Sequence, residues 1–148
     1  MSRRSSVPVG VATALLVVLL AGCAPVGVSS EQTAATPPPL PPQPCTSVSR
    51  TAMDLVQQGL TDARPDAAMN AIAAMSDGKG GWFVTATFTT TGASGPLEAV
   101  WWTADDPTVE QPVVLTSVGE TAGEYSVFTA GDVDTDTPAV ENAMACIE

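Results

Sequence analysis

The chain has 148 residues, with 16 acidic side chains against five basic ones, a net charge of −11, and no histidine. This length suits one domain after a leader, and the charge repels phosphate backbones, which excludes nucleic-acid binding as a function class. The missing imidazole removes the commonest general base and metal ligand.

In chain order, Arg3-Arg4 precede an apolar stretch from Val7 to Gly22 of 16 residues. A positive start, an apolar run and small residues at its end predict a secretory signal peptide over 1–22. The run is shorter than the roughly 18–20 residues that span a bilayer, and no basic residue follows until Arg50. Arg3-Arg4 lack the Phe and Leu of a twin-arginine signal, which favours the general secretory route. Its end, Leu20-Ala21-Gly22-Cys23, resembles a bacterial lipobox. The resemblance implies cleavage before Cys23 and a diacylglyceryl group on its thiol. The expected lipoprotein then sits on the outer face of the cytoplasmic membrane, held by its acyl chains. Three basic residues would remain against 16 acids, a net charge of −13. Anionic head groups would repel such a domain.

Residues 23–44 read as a lipidated tether. Six prolines fall between Pro37 and Pro44, a composition that favours extended polyproline II and buries no core. Cys45 and Cys146 form an even pair in an exported chain and read as a disulfide closing one domain over 45–148. Two free thiols are the alternative.

From Thr46, the apolar stripe Val48, Ala52, Leu55, Val56 and Gly59 predicts a helix, capped by Thr46 or Ser47 and weakened at Gly59. "PDAAMNAIAAM" (65–75) is alanine-rich, with Ala68, Ile72 and Met75 at helical spacing, and predicts a second helix. "SDGKGG" (76–81) breaks it. "WFVTATFT" (82–89) alternates and predicts a strand. A turn at 90–96 leads to a second strand, "LEAVWWTA" (97–104), and a loop at 105–112 leads to a third, "VVLTSV" (113–118). Over 119–130, Val118, Ala122 and Tyr125 suit a helix, whereas Tyr125 to Phe128 alternate as in a strand; the short helix is preferred. Thr137 as cap and Pro138 at the first position predict a final helix through Ala139–Ile147. The fold class expected is α+β: N-terminal helices, a three-stranded antiparallel meander and a C-terminal helix. The arrangement of Cys45, Phe83-Val84, Val100-Trp101 and Cys146 resembles small exported actinobacterial proteins of uncharacterised function. That resemblance implies the fold and the disulfide, and no activity.

The chemistry-bearing residues are few. Lys79 lacks a serine partner at a catalytic spacing, and Glu98, Glu110, Asp105 and Asp106 are acids among many, so the chain reads as no enzyme and as needing no cofactor. Asp132, Asp134 and Asp136 open a calcium-loop pattern, but Thr137 and Ala143 replace its turn glycine and its bidentate glutamate. They read as a solvated acidic turn, with a weak calcium site as the alternative. Trp82, Phe83, Trp101 and Trp102 form the candidate binding patch. Trp101 and Trp102 point to opposite faces of a strand, so one belongs to the core. The expected role is a binding or interaction module for an envelope protein or a small ligand. The alternatives are a structural envelope component, an accessory lipoprotein of a transporter or wall enzyme, and a hydrolase using carboxylates.

Overall fold

The structure is a computed structural model that describes residues 43–148. The expected signal peptide, Cys23 and residues 24–42 of the tether lie outside the described residues.

A four-stranded antiparallel sheet runs in the order β1 (Ala68–Ser76), β2 (Trp82–Thr89), β3 (Leu97–Thr103), β4 (Thr116–Val118). Three helices join it: α1 (Arg50–Ala63), α2 (Gly119–Tyr125) and α3 (Pro138–Met144). The α+β class holds, with two corrections. The meander has four strands, not three, and the predicted second helix is β1, paired with β2 from Ala68↔Thr89 to Ser76↔Trp82. Alanine favours helices locally, but here a partner strand supplies what the segment itself lacks; context overrides propensity. "SDGKGG" is therefore the tip of a β-hairpin, closed by the Asp77 N–H donating to the Gly81 carbonyl at 2.9 Å.

α1 begins at Arg50, not Thr46, because Thr46 is held in an extended bridge to Ala74 by two backbone hydrogen bonds of 2.8 Å. Ser49 is the N-cap, accepting from the Ala52 N–H at 3.2 Å. The first turn carries no acid of its own. Glu110 supplies one from the β3–β4 connection, accepting from the backbone N–H groups of Arg50 (2.9 Å) and Thr51 (3.1 Å). The helix runs through Gly59 to Ala63 without breaking. Gly59 is required there for another reason: a Cβ would lie 2.4 Å from the Phe128 ring.

The two faces of the sheet carry separate clusters. On one, Ala52, Val56 and Leu60 of α1 and Ala122 of α2 pack with Val84, Ala86, Phe88, Trp101, Val113 and Leu115. On the other, Val140 and Ala143 of α3 cover Met75, Phe83, Val100 and Val118. Each fully buried Val, Leu or Phe contributes about 1.5–3 kcal/mol, so the first cluster is the main core. Only 116–118 of the predicted third strand joins the ladder, because Val113 and Leu115 turn into that core instead.

A disulfide joins Cys45 to Cys146, with Cα atoms 5.6 Å apart and a sequence separation of 101. Thr46 beside it is bonded to β1, so the bridge ties the end of α3 to the edge of the sheet. Among the described residues no helix is long and apolar enough to cross a membrane.

Candidate functional site

The β1–β2 hairpin tip organises the site. Asp77 Oδ1 accepts from the backbone N–H groups of Lys79 (2.7 Å) and Gly81 (2.8 Å). Its Oδ2 accepts from the indole N–H of Trp102 at 3.0 Å. Gly78 (φ 71°) and Gly80 (φ 101°) occupy the left-handed region that this tight turn needs. Gly81 allows a close approach, since a Cβ there would sit 2.6 Å from both Asp77 Oδ2 and Trp102 Nε1. Burial of Asp77 opposes its ionisation. The Trp102 indole, the two backbone N–H groups and the Lys79 charge outweigh it and hold the carboxyl below its ordinary value. Asp77 is thus an anion with both oxygens engaged. It positions Trp102.

Trp102 lies directly across from Phe83 on the face covered by α3. Around them, two adjoining depressions share Asp77, Lys79, Thr137 and Ala139. One, of about 260 Å³, is walled by Phe83, Trp102, Val133 and Asp134. The other, of about 380 Å³, is mostly apolar, lined by Met75, Pro138 and Ala139 together with Gln43, Ser76 and Asn142. Thr137 caps α3, its hydroxyl accepting from the Val140 N–H at 3.4 Å. A larger depression of about 600 Å³ beside α2 is an open surface lined by Glu120, Glu124 and several small residues. It lacks an aromatic wall, so the Trp102 cleft is the better-formed site. The cleft's chemistry is that of binding: an apolar floor, one indole, one ammonium and a few amide and hydroxyl groups.

The four candidate aromatics divide between faces. Phe83 and Trp102 share the α3 face, while Trp82 and Trp101 share the other. Trp101 is fully buried, donating its indole N–H to Ser126 Oγ at 3.1 Å and meeting Phe128 edge-on at 6.2 Å. Phe83 is only 4% exposed, and Trp82 is half-buried opposite Thr103. Trp102 is therefore the aromatic that lines a cleft with part of its surface open.

Asp132, Asp134 and Asp136 are exposed in the loop before α3, where Asp134 Oδ1 accepts from the Asp136 N–H at 3.0 Å. Among the described residues no group of three or more His, Cys, Asp and Glu side chains is placed to hold a metal ion. Two further carboxylates are held below their ordinary values. Hydrogen bonds from the Thr51 hydroxyl and from the backbone at Arg50 and Thr51 lower Glu110. Those from Thr91 and the Thr90 hydroxyl lower Asp66 to about 2. Both fasten loops to the frame. Sequence reasoning missed Asp77, although an Asp before three glycines in four residues is a recognisable turn signal. No protein-family model matches the chain, and neither a curated protein nor a solved structure is significantly similar to it.

Proposed function

We propose that the chain is a lipid-anchored cell-envelope protein, held by Cys23 at the outer face of the cytoplasmic membrane. Its domain binds an envelope partner or small ligand in the Trp102 cleft. The anchor rests on the lipobox-like Leu20–Cys23 segment at the end of an apolar run. The observation that carries the binding role is a half-buried tryptophan in the wall of a concave, largely apolar site. Gln43, two residues before Cys45, lines the depression adjoining the one that Trp102 walls, so the site lies close to where the tether meets the domain. The strongly negative chain favours a neutral or cationic ligand over an anionic one.

A second reading, a structural envelope component without a ligand, is favoured by Trp101, which is fully buried, and by Asp77, whose two carboxylate oxygens are both taken up by hydrogen bonds within the domain. One comparison separates the two. Proteins and small molecules co-purifying from membranes with the unaltered chain are compared with those from Trp102→Leu and Val114→Ser variants. Val114 is 75% exposed, and its neighbours Val113 and Leu115 belong to the opposite cluster. A species lost with Trp102→Leu and kept with Val114→Ser supports binding at the cleft. Identical profiles for all three support the structural reading.

A further inference from the structure

The C-terminal segment is attached to the domain in an unusual way. Among the described residues, residues 132–148 make their hydrogen bonds with one another, with one exception: the Thr85 hydroxyl donates to the Ala143 carbonyl at 3.2 Å. No ion pair reaches the segment among the described residues, where the single salt bridge is Arg64–Glu124. α3 has seven residues, too few to be stable as an isolated helix. It docks through a small cluster centred on Val140 and Ala143, separate from the main core. What fixes its far end is the Cys146–Cys45 bond, whose other side is pinned to β1 through Thr46. Cys45 is exposed and Cys146 partly so.

We infer that α3 and the acidic loop before it form a flap that the Cys45–Cys146 disulfide latches onto the sheet, and that a dithiol reductant releases. The loop 132–136, exposed apart from the partly buried Val133 and with its one side-chain hydrogen bond running from the Asp136 N–H to Asp134 Oδ1, is the hinge. In the exchange, a thiolate of the dithiol attacks one protein sulfur and forms a mixed disulfide. Its second thiol then displaces the remaining protein sulfur. The reductant leaves as a cyclic disulfide, and Cys45 and Cys146 together gain two electrons and two protons. The released segment uncovers Met75, Phe83, Val100 and Val118, which are all nearly fully buried when it is docked. Because Val133, Asp134, Thr137 and Ala139 wall the depression that holds Trp102, and Pro138 and Asn142 wall the one adjoining it, the cleft exists only in the latched state. The flap itself does not depend on whether that cleft holds a ligand.

The test is hydrogen–deuterium exchange of the full-length chain with and without dithiothreitol, the loss of the bond being checked by intact mass. Reduction should speed exchange across residues 138–147 by about tenfold or more, while α1 stays within about twofold of its oxidised rate. Glutamyl endopeptidase should then cleave at Glu141 in the reduced chain alone. A Cys45→Ser/Cys146→Ser variant should match the reduced protein; if it fails to fold, the reduced unaltered chain still decides. Unchanged protection of α3, collapse of α1 together with α3, or resistance of the bond to the dithiol under native conditions would each overturn the inference.

Discussion

Gly59→Ala pits a local rule against a tertiary contact. In a helix interior, alanine is favoured over glycine by about 0.8–1.0 kcal/mol, so propensity alone makes this substitution stabilising. The structure reverses the sign. The new Cβ would lie 2.4 Å from Cε2 and Cζ of Phe128 and 3.2 Å from its Cε1. The ring has little room to retreat, since it meets Trp101 edge-on at 6.2 Å and an 83° interplanar angle. Its backbone is drawn in as well, because the Val127 N–H donates to the Gly59 carbonyl at 3.2 Å. Overpacking of this kind costs typically about 1–3 kcal/mol. Against the propensity gain, a net loss of about 1 kcal/mol is expected, which lowers the thermal midpoint of a domain this size by about 4–8 °C. Calorimetry of both proteins measures it. In a Phe128→Ala background the clash is gone, and the same substitution should raise the midpoint. A rise in the unaltered background would refute the packing argument.

Three further outcomes are expected. Ser49→Ala removes the acceptor for the Ala52 N–H and should cost about 1 kcal/mol, read as a lower urea midpoint at unchanged slope, whereas Ser49→Asp should recover most of it. Asp77 is held below its ordinary value of 3.8, so the unfolded chain takes up its proton at a higher pH than the native one. The stability it contributes is complete above pH 3.8 and falls as the pH drops through the native value. Asp77→Asn should therefore flatten the acid limb of the stability–pH curve, and an unchanged limb would contradict the role given to this carboxylate. Cys23→Ala should leave the chain uncleaved or release it from the membrane fraction; a variant that is still processed and still membrane-bound would contradict the lipid anchor.

The legible parts of the fold were those set by local chemistry. Thr137 and Pro138 placed the start of α3, because cap and first-turn preferences act within a few residues. The alternation of 82–89 placed β2, and the cysteine pair placed the disulfide. What was missed depends on distant partners. Ala68–Ser76 carries little strand signal because alanine presents almost no side chain to read, and β2 fixes it as a strand. The Glu110 cap is 60 residues from α1, and the need for glycine at 59 lies in Phe128. The candidate site was half legible. Opposite faces for Trp101 and Trp102 follow from strand geometry, whereas Asp77 and the walls from α3 come together only through the hairpin and the disulfide.

The central claim is that the Trp102 cleft is occupied in the envelope, and a photo-crosslinking residue in place of Ala139, a wall of both depressions, tests it most directly. In intact cells the account predicts a discrete adduct from position 139 that disappears with Trp102→Leu and does not form from exposed position 114. No adduct at 139, or one that survives Trp102→Leu unchanged, would contradict it.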